Sequence, residues 1–199
     1  AAFQILSDFG PETLAAAVYR AFAFIPARLS LLIDPQSLLP SRSTLDYDPQ
    51  EALTQINEAL GVGRLSILTL FTYAFLHGGW LHIAFNMYVL FALGPTLERI
   101  LGHGRFLLLY LLAALGGAAA SYTFSDYQTV SVGASGAIFG LMGALIVAGK
   151  RLRYDITQVL VLLGINVVIG FLSPGVDWRA HLGGLATGAA VAAIMVFAP

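Results

Sequence analysis

The stretch that decides the fold is Leu65–Leu97, LSILTLFTYAFLHGGWLHIAFNMYVLFALGPTL, 33 residues without a charged side chain. A helix needs about 20 mainly apolar residues to cross the hydrocarbon of a bilayer, so this run exceeds one crossing. Glycine pairs punctuate helices, and Gly78-Gly79 divides it. The reading is a crossing helix from about Gly79 to Leu97, preceded by a loop or interfacial stretch. Four more charge-free runs follow: Phe106–Ser125 (20 residues), Tyr127–Gly149 (23), Ile156–Val176 (21) and Ala180–Pro199 (20). Five such runs predict an all-α, polytopic transmembrane helical bundle. Its spans are expected at about 79–97, 105–125, 132–149, 156–173 and 178–198.

Composition agrees. Of 199 residues 58% are hydrophobic and 11% charged, against about 25% charged in soluble domains, and mean hydropathy is +0.81. A net charge of −1 offers no basic footprint for nucleic acid. The absence of cysteine removes disulfides, thiol catalysis and thiolate metal sites. Residues 1–13 lack a basic region before an apolar run, so no signal peptide is read there. Residues 1–78 are read as an N-terminal interfacial and external segment. Leu14–Ile33 is apolar but holds Arg20, Arg28 and Pro26, and a central arginine costs a span about 2.5–3.5 kcal/mol. It is read as an interfacial amphipathic segment. Asp34–Arg64, with Pro35, Pro40 and Pro49, reads as a water-facing loop with a short helix over Gln50–Leu60.

Lys and Arg gather in cytoplasmic loops. Arg99 and Arg105 flank one connection, and Lys150, Arg151 and Arg153 another. The first, third and fifth spans therefore run from outside to inside, and each carries a polar group near its outer start. His82 precedes Arg99 by 17 residues, about 25 Å of helix. Ser135 precedes Lys150 by 15, about 22 Å. His181 follows Asp177 and Trp178, which mark the outer interface. Polar groups are costly in a bilayer, and their convergence at one depth is what a functional site requires.

Two readings of each residue stand side by side. Ser135 belongs either to a small-residue packing stripe with Gly136 and Gly140, or to a sharp turn at Gly133 that exposes its hydroxyl at a helix N-terminus. Developing negative charge is stabilised at such a terminus. His181, ahead of Gly184 and Gly188, is either an interfacial histidine or a neutral base able to take the Ser135 proton and return it to a leaving amine. His82 and Asn86 share one helix face. They either bond neighbouring helices or wait as oxyanion donors. His77 is read as structural and His103 as solvated. A metal site from His77, His82 and His181 lacks the usual HExxH pattern and a nearby carboxylate, so no metal is expected. The reading is a Ser–His dyad without an acid, Asp177 being the outside candidate for a third member; Asp126 lies in an outer loop.

At these residues the sequence resembles the rhomboid family of intramembrane serine proteases. The likeness is carried by His77-Gly-Gly-Trp-Leu-His82-Ile-Ala-Phe-Asn86, by Gly94, Glu98 and Gly102, by Gly133-Ala134-Ser135-Gly136 with Phe139 and Gly140, and by His181-Leu-Gly183-Gly184. The resemblance implies Ser135 as nucleophile and His181 as general base. It implies an oxyanion hole of His82, Asn86 and the backbone N–H groups of Ser135 and Ala134. Phe139 takes the place of an aromatic that packs on the imidazole. The substrates implied are transmembrane proteins cut in or beside their spans, at small residues near helix-destabilising ones, with no cofactor. Leu68-Thr69 stands where many members carry Trp-Arg. The family core has six spans, and the first is expected upstream of Ala1, or else as a poor span at Leu14–Ile33.

Hydrolysis needs water that lipid excludes. A cavity open to the outer side, covered by Ser173–Arg179, would supply it, with substrate entering laterally beside the fourth span. The expected location is the bacterial plasma membrane, with the site toward the outer face. The competing readings are a catalytically inactive rhomboid relative that binds membrane clients, and a channel or transporter. The second lacks the inverted repeats that such folds show.

Overall fold

The computed structural model describes residues 18, 21–34, 51, 54–55, 64–173 and 175–197. Most of the loop Asp34–Arg64, most of its expected helix at Gln50–Leu60, and most of Leu14–Arg20 lie outside the described residues. The elements in chain order are α1 (Pro26–Ile33), a 3-10 turn (Arg64–Leu68), α2 (Thr69–Thr72), a second 3-10 turn (Tyr73–Phe75), α3 (Trp80–Leu101), α4 (His103–Phe124), α5 (Ser135–Leu152), α6 (Thr157–Leu172) and α7 (Trp178–Phe197). Among the described residues strand pairing amounts to one antiparallel bridge, Phe24 with Ser131.

Helices are the form in which a chain satisfies its backbone in lipid. Four of them, α3, α4, α5 and α7, are long and apolar enough to cross a membrane. The apolar α6 has 16 residues, about 24 Å, somewhat less than the roughly 30 Å hydrocarbon core. The architecture is an all-helical membrane bundle. Helix α3 runs on past Leu97 to Leu101, with Arg99 in its last turn and Pro95 inside it. Gly102, at φ 81°, is the single residue between α3 and α4, so the two form a tight hairpin.

Helix α5 is the centre and touches α3, α4, α6 and α7. Both its faces are apolar and mostly buried, as expected of a helix surrounded by others. Ile138, Leu141, Met142, Ala144 and Leu145 meet Val89, Leu93 and Leu97 of α3, Leu109 of α4 and Ala192 of α7 in one core. In lipid, helix association rests on close packing, which small residues allow. A Cβ added at Gly184 or Gly188 of α7 would fall on the backbone carbonyls of Gly136 or Gly140 of α5. Those two backbones are therefore in direct contact. By contrast, α6 buries only Val159 and Gly170.

The segment before the bundle is tied to it. Phe24 packs with Tyr73, Ala74, Ala114, Ala118 and Ala137. The Arg28 side chain is buried, and its Nη1 donates to Ala23 O at 3.2 Å. Ala27 N–H donates to Tyr127 O (3.0 Å), and Thr72 Oγ1 to Phe22 O (2.9 Å). This segment thus braces both α2 and the loop that leads into α5.

Candidate active site

Three helix starts and the turn before α5 define the site. Gly133 adopts φ 121°, a region that disfavours side chains, and its N–H donates to Tyr73 O at 2.9 Å. A Cβ there would lie 2.7 Å from the His82 ring. The bare glycine therefore lets His82 reach the turn. Ala134, buried, is the N-cap, and Ser135 opens α5.

The Ser135 Oγ and the His181 Nε2 lie 2.8 Å apart. The Phe139 ring, one turn below Ser135, stacks on the His181 imidazole at 4.2 Å between centroids and 10° between planes. Gly170 of α6 passes close to the imidazole Nδ1, which a Cβ there would meet at 3.6 Å. The histidine is thus held between an aromatic face and a helix backbone.

His82 accepts a hydrogen bond at Nδ1 from Gly78 N–H, 3.2 Å. A neutral imidazole carries one proton, so that proton sits on Nε2, the side facing Gly133. Asn86, one turn on, is 4% exposed. Its Nδ2 has no hydrogen-bond partner among the described residues, an unusual condition for a buried donor. Both side chains line a cavity of about 250 Å³ together with Ser135, His181, Gly136 and Asn166. Gly175, Val176 and Asp177, from the stretch between α6 and α7, also line it.

The remaining histidines lie apart from this cavity. His77 is buried, edge-on to His82 at 5.1 Å. Burial first, then the neighbouring His82, pushes its imidazole down to about 4. His103 is not merely solvated; its Nδ1 contacts Glu98 Oε1 at 2.6 Å across the α3–α4 turn. Among the described residues no group of three His, Cys, Asp or Glu is placed to hold a metal ion.

Asp177 does not turn to the imidazole. Its Oδ1 caps α7 by accepting Ala180 N–H (3.1 Å), and its Oδ2 accepts Ser131 Oγ–H (2.5 Å). Sequence reasoning passed over Ser131, Ser121 and Ser125, which gather around that carboxylate, and Tyr73, whose hydroxyl donates to Ala114 O at 2.8 Å. The available signal was three serines in the short polar stretch Ser121–Ser131 that joins two apolar runs.

The chain is similar to known proteins. A family model described as Rhomboid domain matches residues 64–197. The chain is 43% identical over 125 residues to rhomboid protease GluP of Bacillus subtilis, covering 60% of this chain and 24% of that protein. It is 34% identical over 192 residues to RHOMBOID-like protein 6, mitochondrial, of Arabidopsis thaliana, covering 92% and 58%. It is 33% identical over 132 residues to rhomboid-type serine protease 2 of Emericella nidulans, covering 63% and 26%. The chain thus spans between about a quarter and somewhat over half of the length of these relatives.

Proposed function

The chain belongs to the rhomboid family, and on that premise we propose that it is an intramembrane serine endopeptidase acting on transmembrane proteins. The observation that carries this reading is the 2.8 Å contact between Ser135 Oγ and His181 Nε2 on the wall of a cavity.

In the proposed reaction the Ser135 Oγ attacks the scissile carbonyl carbon while His181 Nε2 takes its proton. The His181 ring is then an imidazolium, held by the Phe139 face. The carbonyl oxygen becomes an oxyanion, met by His82 Nε2–H, Asn86 Nδ2–H and the N–H groups of Ser135 and Ala134. Donors set in place before charge appears cost no reorganisation at the moment of reaction. The unpartnered Asn86 amide fits this task, since its partner would exist only in the transition state. The C–N bond breaks as His181 returns the proton to the leaving amine. Water then attacks the acyl-serine ester, with His181 again as base, and releases the carboxylic acid and free Ser135. No metal or cofactor takes part.

The cavity supports a rule for the substrate. The Ser135 hydroxyl lies at the start of α5 on the wall of the cavity, and the carbonyls inside a helical span are engaged in that helix's own hydrogen bonds. A substrate span would unwind locally to present one free carbonyl to Ser135. Small residues at the cut and helix-destabilising ones beside it meet that need. Lateral entry beside α6 is supported by the little surface that helix buries. The proposed setting is a bacterial plasma membrane, with the site opening on the outer face, an orientation supported by the Arg and Lys positions.

The test is cleavage of a single-pass membrane substrate by the chain in proteoliposomes, alongside labelling by a fluorophosphonate. Hydrolysis and labelling are expected for the unaltered chain and lost in Ser135→Ala and His181→Ala. Cleavage that survives Ser135→Ala refutes the mechanism. A folded chain that neither cleaves nor labels is instead the client-binding relative.

A further inference from the structure

A polar knot lies at the edge of the site, where Ser131 and Asp177 both line the cavity. The Ser131 hydroxyl donates to Asp177 Oδ2 at 2.5 Å. Its single proton is thus committed, so at 3.1 Å it accepts the Ser121 hydroxyl proton. Asp177 also receives Ala180 N–H at 3.1 Å and Ser125 Oγ–H at 3.5 Å. The Ser131 backbone is fixed as well, donating to Phe24 O (2.9 Å) and accepting Phe24 N–H (3.1 Å). Ser131 is 3% exposed and Ser121 fully buried.

Position gives this knot its meaning. Ser131 stands four residues before Ser135, and Asp177 four before His181. The hydroxyl–carboxylate bond therefore joins the segment carrying one reacting group to the helix carrying the other. Between Ser131 and Ser135 the chain is held again, at Gly133 N–H by Tyr73 O. Between Asp177 and His181 it is helix, capped by that same carboxylate.

We infer that Ser131 and Asp177 form a positioning pair that sets the distance between Ser135 Oγ and His181 Nε2. The inference rests on the protease reading. The pair touches no reacting atom and acts through the two elements it joins. Asp177 is therefore not a third member of a charge-bearing triad. Asparagine can do its work: the amide oxygen keeps the Ala180 cap, and the amide N–H₂ donates to a Ser131 oxygen turned to accept.

The test is a kinetic cycle on the full chain in proteoliposomes with Ser131→Ala, Asp177→Ala and the double variant, plus Asp177→Asn and Ser131→Thr. Thermal unfolding confirms which variants are folded at the assay temperature. Each alanine variant is expected to lose about tenfold or more in kcat, with KM within twofold. The double variant should lose no more than the worse single. Ser131→Thr and Asp177→Asn should stay within threefold of the unaltered chain at its optimal pH. Losses that multiply in the double variant overturn the pairing. So does an unchanged kcat in a folded alanine variant, or a loss confined to KM. A collapse in Asp177→Asn equal to that in Asp177→Ala overturns the neutral positioning role in favour of a charge. Failure of the unaltered chain to cleave or label removes the protease reading itself, a result distinct from cleavage that ignores Ser131.

Discussion

Replacing Gly184 by alanine tests whether backbone contact between α5 and α7 holds the site together. The new Cβ would fall on the Gly136 carbonyl, with the carbonyl carbon 2.7 Å away. Comfortable separations are about 3.5–4.0 Å, and a helix carbonyl cannot rotate aside. The helices must part locally by about 1 Å. Overpacking of this kind costs about 1–3 kcal/mol, here toward the upper end because the obstacle is backbone. Alanine returns up to about 1 kcal/mol in helix propensity, leaving a net loss of about 2 kcal/mol. Gly164→Ala is the control: nothing lies within 4 Å of its Cβ, so only the propensity gain remains. The functional consequence is larger. Gly136 follows Ser135, and Gly184 lies one turn after His181. A 1 Å opening stretches their 2.8 Å contact beyond hydrogen-bond range, and a misplacement of that size can cost about a hundredfold in rate. Chemical unfolding in mixed micelles reads the stability, and substrate cleavage in proteoliposomes reads the rate. If Gly184→Ala unfolds with Gly164→Ala and cleaves as fast as the unaltered chain, the backbone-contact argument is wrong.

Three further outcomes follow from the site. Asn86→Ala should lower kcat by about 10²–10³, the usual loss for one oxyanion donor. Unfolding should be little changed, because its Nδ2 has no ground-state partner among the described residues; a large drop in stability would make it structural. Gly133→Ala places a Cβ 2.7 Å from His82 at a positive φ, a strain of about 1–3 kcal/mol. It should lose fluorophosphonate labelling before it loses its fold, as labelling and circular dichroism together would reveal. The His77 imidazole, near 4 when folded and about 6.5 when unfolded, binds fewer protons in the native chain between those values. Its contribution to stability is complete above about pH 6.5 and falls away as the pH drops toward 4. Thermal unfolding over that range should show a shallower decline in His77→Asn; an identical slope would dismiss His77 as the source.

The existence and approximate extent of the apolar helices could be read from the chain in one dimension, although α3 runs on to Leu101. That is because lipid imposes a length and a polarity on every crossing, independent of neighbours. The glycine spacing of Gly136, Gly140, Gly184 and Gly188 likewise announced close helix contact. Their pairing, Gly184 onto Gly136 and Gly188 onto Gly140, is a matter of register between helices distant in sequence, and only the folded chain decides it. The same holds for what each side chain faces. Asp177 stands one turn from His181 in sequence, yet its carboxylate serves a helix cap and Ser131, because the loop bringing that serine is fixed by its bridge to Phe24. The His82 tautomer depends on a Gly78 N–H that no residue pattern encodes. Sequence alone determined a membrane bundle and offered Ser135, His82, Asn86 and His181 as candidates for its chemistry. Tertiary structure decided which of them meet, because distance between side chains on separate helices is set by packing, and packing is a property of all the helices at once.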